Sequence, residues 1–175
     1  MVTKIFRRVI FAYQELLYTY DDVNDNIYDG TPYTAAYEFA LEKRLSTLKK
    51  AFLNINDELA TSIKEFEINN PWLTDYALYM AVKEQENYKP WWEWSDEHSH
   101  YFECVKSIYN YEESAAFWKF VQFIFFKQWG EIKGYANKTG VAVIGDMPID
   151  VAMDSADGWS NLPMFLIDEK TLKVE

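Results

Sequence analysis

Apolar side chains recur at spacings of three and four along most of the chain. Ile5, Phe6, Val9, Ile10, Tyr13, Leu16 and Leu17 predict a helix over residues 2–20. The acidic, Asn-rich stretch that follows ends in Asp29-Gly30, a turn signal. Phe39, Leu41, Leu45, Leu48, Ala51 and Phe52 predict a second helix over 33–53, and a third covers 57–68. Asn69-Asn70-Pro71 breaks it, and Pro71 suits the first turn of the next helix, Trp72 to about Glu86. That helix sets Leu73, Tyr76, Ala77, Met80 and Ala81 on one side. Residues 89–96 read as a loop holding Trp91, Trp92 and Trp94, and the mixed stretch 97–109 as a short helix. A long helix from Glu112 to about Lys138 is apolar almost all round between Phe117 and Phe126, so it is buried on most sides or docks onto a larger body. Thr139-Gly140 ends it.

Val141 to Ile144 is a short, continuous, β-branched apolar run, the pattern of a buried parallel strand. No other segment reads convincingly as a strand, and a lone strand cannot make a sheet. Helix, Gly turn, strand and polar Gly-Asp end together form one unit of an α/β fold. The expected fold class is mainly α with one parallel-type strand.

Composition narrows the function. At 175 residues with 49% hydrophobic and 26% charged residues, the chain is of one-domain size and globular. Seventeen basic residues against 28 acidic ones leave a net charge of −11, which disfavours nucleic acid and anionic membrane surfaces. The charge balance does not exclude a neutral, ring-shaped ligand such as a sugar, and the 18% aromatic content calls for a heavily aromatic core or a ligand that suits flat faces. One cysteine, Cys104, suits a reducing compartment. No run reaches the roughly 18 apolar residues of a membrane span. Gln14 and Glu15 interrupt the apolar run after Lys4, Arg7 and Arg8, so Met1 is read as a cytoplasmic start.

A long fixed-spacing pattern then narrows it further. Gln128-Trp129, Lys133, Tyr135-Ala136-Asn137, Gly140, Val143 to Ile149, Val151-Ala152, Asp154-Ser155-Ala156-Asp157 and Trp159 resemble the amylomaltases, the 4-α-glucanotransferases of the α-amylase superfamily. Trp72 to Leu78, Trp91 to Trp94 and the helix Phe120 to Trp129 resemble the family too. A weaker match runs through Tyr37, Arg44, Leu48 and Ala51-Phe52, and Phe165 and Asp168-Glu169 continue the pattern. The similarity covers residues 37–169. Asp150 stands where the family has Tyr or Phe, Gly158 where it has Val, and Asn161-Leu162-Pro163 displaces a proline by one position.

The resemblance implies a partial TIM (β/α)8 barrel with a helical insertion. Residues 37–110 would be the insertion, 111–169 a barrel helix, the third strand and an active-site loop, and 170–175 a tail, with 1–36 an unassigned helical segment. Asp146 would stand at the C-terminal end of the strand, where barrel enzymes keep their chemistry. Its expected role is that of a supporting carboxylate. The family's nucleophilic aspartate and acid/base glutamate would lie beyond residue 175, so the chain alone is expected to be inactive. No metal or organic cofactor is implied.

Asp154, Ser155 and Trp159 are the expected substrate-binding residues. Other readings stand beside these: Asp146 accepting turn N–H groups, Asp154 or Ser155 capping a loop helix, and Trp159 as a core ring. Trp91, Trp92 and Trp94 would form a sugar platform or, the favoured reading, cover the long helix. His98, His100 and Cys104 lack the four ligands of a closed zinc site, so the histidines are read as surface residues. The implied function is transfer of α-1,4-glucan segments between maltooligosaccharides, in the cytoplasm, with self-association through exposed apolar surface. The alternative is a non-catalytic helical interaction module.

Overall fold

In the computed structural model of the chain, the described residues are 17, 19–31, 33, 36–147, 149–168 and 171–172. The predicted helix over 2–20 lies outside them except at its end. Among the described residues eight α-helices follow in order: α1 (Tyr20–Asn24), α2 (Tyr37–Leu53), α3 (Asp57–Asn69), α4 (Trp72–Gln85), α5 (Asp96–Ser99), α6 (Tyr101–Val105), α7 (Glu112–Lys138) and α8 (Ala156–Ser160). Short 3₁₀ turns stand at Trp91–Glu93, Ile108–Tyr111 and Leu162–Met164. The helical expectation therefore holds through the body of the chain. Helix α2 starts four residues later than the periodicity predicts, and the stretch 97–109 resolves into two short helices, α5 and α6, and the start of a 3₁₀ turn.

Local chemistry sets the helix ends. Thr19 and Asp22 cap α1 reciprocally: the Thr19 backbone N–H donates to Asp22 Oδ2 at 2.9 Å, and the Asp22 N–H donates to Thr19 Oγ1 at 3.3 Å. Asp22 also pairs with Lys50 at 2.6 Å, and these bonds hold its carboxyl at about 2. Asn56 Oδ1 accepts the Leu59 N–H at 2.8 Å and starts α3. At the end of α7 the Val141 N–H reaches Ala136 O at 2.9 Å and the Gly140 N–H reaches Asn137 O at 3.1 Å. This is a Schellman closure, and Gly140 supplies its positive φ of 80°.

Val141–Ile144 is not a strand. Residues 141–147 have no regular structure, and Val141, Val143 and Ile144 are exposed, Ile144 by 93%. An extended segment becomes a strand only when a neighbour pairs with its backbone amides. Among the described residues nothing pairs with this segment, and its apolar character alone does not bury it.

The chain divides into two compact units, Met1–Phe66 with Phe120–Val143, and Glu67–Lys119 with Ile144–Glu175. The core of the first includes Leu17, Ala51, Leu59, Ile63, Phe120 and Ile124. Phe52 packs on Phe120 at 5.6 Å between ring centroids, and Phe66 on Phe126 at 5.5 Å. The apolar stripe of α7 is only partly used here: Phe125, Trp129, Ile132 and Tyr135 remain exposed.

The second unit holds every candidate site residue. Helix α4 is its centre, with Leu73, Ala77, Leu78, Ala81 and Val82 buried, and α8 packs against it. Burying the large aliphatic chains contributes about 1.5–3 kcal/mol each. Lys119 at the first half of α7 pairs with Glu67 at 2.5 Å.

Candidate functional site

The turn at 153–160 is built around one enclosed ring. Trp159 is fully buried, with Tyr101, Trp94 and Tyr79 at centroid distances of 5.2, 5.6 and 5.8 Å. Its indole N–H donates to the His98 carbonyl at 2.9 Å. Buried aromatics of this kind need a partner for their one polar atom, and this one has it. Trp159 therefore offers no open face for a sugar ring and takes the core role left open by the sequence.

Ser155 caps α8. Its Oγ accepts the Gly158 N–H at 3.1 Å, the N-cap geometry. A β-carbon at position 158 would collide with the Met153 carbonyl oxygen. This closure accounts for glycine standing where the resemblance leads one to expect valine.

Asp154 is anchored to α4. Lys83 Nζ donates to Oδ2 and Oδ1 at 2.7 and 2.8 Å, and the Tyr79 hydroxyl donates to Oδ1 at 2.6 Å. Burial by itself would raise the Asp154 carboxyl, but the Lys83 and Tyr79 bonds outweigh it and hold it below the usual carboxylate range. Burial and the adjoining carboxylate push the Tyr79 phenol well above its ordinary value, so it stays a neutral donor. Trp91 adds a second tie, its indole N–H donating to Met153 O at 2.7 Å.

Asp146 differs from these three. It is exposed, and among the described residues it makes no hydrogen bond or ion pair. The structure brings Asp154, Ser155 and Trp159 into one anchored turn and leaves Asp146 open on the segment leading to it.

The tryptophan loop also has a different partner from the favoured reading. Trp91 and Trp94 are buried: the Trp91 indole N–H donates to Met153 O and that of Trp94 to Lys89 O, and the Trp94 ring packs on Tyr79 and Trp159. They serve the 153–160 turn and α4.

His98 is not at the surface. It is 9% exposed, with Nδ1 at 2.5 Å from Glu86 Oε1 and Nε2 at 2.6 Å from the Tyr111 hydroxyl. Burial opposes the charge on Glu86, yet the His98 and Ser95 bonds hold its carboxyl below the usual range. Sequence reasoning missed Tyr79, Lys83, Glu86, His98 and Tyr111. The only advance signal was Tyr79 and Lys83 four apart on one helix, which share a face. Cys104 is buried, its thiol pushed up to about 11 by burial and the Glu97 charge, so it is unreactive. Among the described residues no cluster of three His, Cys, Asp or Glu side chains could hold a metal, and no helix is long and apolar enough to cross a membrane.

Comparison with known proteins gives this turn its context. The family model for 4-alpha-glucanotransferase matches residues 7–171. The 4-alpha-glucanotransferase of Clostridium butyricum is 35% identical over 162 residues, 87% of this chain and 32% of that protein. That of Aquifex aeolicus is 39% identical over 138 residues, 77% of this chain and 28% of its own length. Among solved structures, an amylomaltase from Streptococcus agalactiae in complex with acarbose superposes with a TM-score of 0.83 at 30% identity, over 93% of this chain and 34% of that one. The chain thus spans about a third of the length of these relatives. With a family match that runs almost end to end and a backbone that follows a solved amylomaltase, this chain belongs to the 4-alpha-glucanotransferase family.

Proposed function

We propose that this chain supplies part of the glucan-binding and catalytic surface of a 4-α-glucanotransferase. The reaction moves an α-1,4-glucan segment to an acceptor sugar with retention at the anomeric carbon. One carboxylate attacks that carbon while a carboxylic acid protonates the departing glycosidic oxygen. The conjugate base then takes the proton of the acceptor hydroxyl as that oxygen displaces the enzyme carboxylate. In this reading Asp146 is a supporting carboxylate that accepts hydrogen bonds from sugar hydroxyls. Asp154, Ser155 and Trp159 act on the substrate through the turn they hold.

The observation that carries the reading is the open Asp146 carboxylate, unengaged among the described residues, beside a turn in which Asp154, Ser155 and Trp159 are committed to protein partners. The barrel with a helical insertion, the cytoplasmic setting and a place in starch or glycogen metabolism belong to the same reading. What supports them is the likeness to a solved amylomaltase, the single buried thiol, and the named relatives. Self-association belongs to it as well, supported by the exposed Phe125, Trp129 and Ile132 on α7.

The test is calorimetric titration of the chain with maltoheptaose, beside its Asp146→Asn variant. Weaker binding by the variant at an unchanged urea midpoint is expected, and equal binding would overturn the role of Asp146. Incubation with maltotriose should give no longer oligosaccharides, because no motif in this chain matches the family nucleophile or acid/base. Light scattering reads the association state in the same samples.

A further inference from the structure

A separate concavity lies between α6 and the turn at Leu162–Met164. Its volume is about 330 Å³, and Tyr101, Phe102, Leu162 and Pro163 form its apolar lining, with the buried Trp159 beneath. His100, Glu103 and Ser160 are its polar members. The size falls at the lower end of the roughly 300–1,000 Å³ range of small-molecule sites.

The chemistry of the lining selects the ligand. Phe102 is 74% exposed, an unusual position for a phenylalanine, and its ring is braced against Tyr101 at 5.4 Å between centroids. Tyr101 is itself fixed, its hydroxyl donating to Asp75 Oδ1 at 2.7 Å. An open, braced aromatic face suits the C–H face of a pyranose ring. Lys106 Nζ lies 2.7 Å from both Glu103 oxygens, so the carboxylate is already neutralised and does not call for a cation. The net charge of −11 disfavours an anion. The ligand that remains is neutral, with one apolar face and peripheral hydroxyls.

His100 is held through one ring nitrogen: Nδ1 lies 3.0 Å from both the Asp96 carbonyl oxygen and the Ser99 hydroxyl. Among the described residues nothing bonds to Nε2, which can donate or accept according to the tautomer. It is available to a sugar hydroxyl, as is one remaining lone pair of Ser160 Oγ, which donates to Ala156 O and accepts from Asn161 Nδ2, both at 2.8 Å.

We propose that this concavity is a second maltooligosaccharide-binding site, independent of Asp146, in which one sugar ring stacks on Phe102 and hydrogen-bonds to His100 and Ser160. The choice of a glucan over other neutral sugars rests on the function proposed above. A site of this kind holds a polymer near the chain without taking part in the reaction.

The experiment is NMR and calorimetric titration of the chain with maltotriose, for wild type, Phe102→Ala, Phe102→Tyr and Asp146→Asn. Phe102 is exposed, so its truncation leaves the core intact, and an unchanged urea midpoint verifies this. Two binding events are expected in the wild type. Phe102→Ala should weaken one of them at least tenfold, Phe102→Tyr should restore it, and Asp146→Asn should leave it unaltered. Unchanged binding by Phe102→Ala would overturn the second site, whatever Asp146→Asn does. If Asp146→Asn alone loses affinity, the second site fails and the proposed function stands; if the wild type binds no maltotriose, both fail.

Discussion

Lys83 and Asp154 meet across the second unit with Nζ 2.7 and 2.8 Å from the two carboxylate oxygens, and the Tyr79 hydroxyl joins them at 2.6 Å from Oδ1. This tie fastens the candidate turn to α4. Charged hydrogen bonds contribute about 1.5–3 kcal/mol when buried, and exposed ion pairs about 0.2–1 kcal/mol. The Lys83 side chain is 13% exposed and that of Asp154 is 36% exposed, which puts the pair between these limits. Lys83→Met is expected to cost about 1–2 kcal/mol in urea unfolding followed by tryptophan fluorescence. A midpoint equal to wild type would mean the pair does not anchor the turn.

The same tie sets a pH dependence. Asp154 and Glu86 both titrate below the ordinary carboxylate range in the folded chain. Their stabilisation is complete above the unfolded values of about 3.9 and 4.3 and is lost as pH falls through the lowered folded values. Stability should therefore be flat from neutral pH down to about 5 and fall below about 4. An acid titration by fluorescence checks this, and Asp154→Asn should reduce the slope of the fall.

Gly158→Val reinstates the side chain that the resemblance leads one to expect. Its β-carbon would strike the backbone oxygen of Met153, which cannot swing aside as a side chain could. Overpacking of this kind costs about 1–3 kcal/mol. Faster proteolysis within 146–160 and a lower urea midpoint are the expected outcomes.

Gly134 gives the opposite sign. It lies within α7, and a β-carbon there would meet nothing within 4 Å. Gly134→Ala should stabilise the chain by about 0.5–1 kcal/mol, since alanine loses less backbone entropy in a helix. Circular dichroism during urea unfolding would read the gain, and a loss would reveal a contact at that face.

Trp159→Phe keeps a ring but removes the N–H that meets the His98 carbonyl. Leaving that buried acceptor unpaired costs about 1–3 kcal/mol. Glucan affinity should fall with stability if the turn holds the substrate surface, and remain unaltered if it does not.

Local order was legible in the sequence because it rests on neighbours close along the chain. Apolar spacing located α2, α3, α4 and α7, and Gly140 marked the end of α7 through the backbone conformation it permits. The fixed pattern from Gln128 to Trp159 carried the family, since residue order is all it needs. Tertiary structure decided what depended on distant partners. Val141–Ile144 has a strand's composition but no described neighbour to pair with its amides, so it is exposed and irregular. His98 looks like any surface histidine until Glu86 and Tyr111 close on its two nitrogens. Asp146 and Asp154 are the same residue type a few positions apart. Only the approach of Tyr79 and Lys83 from α4 commits the second to the scaffold and leaves the first open, because a carboxylate's role is set by the donors that reach it and not by its place in the chain.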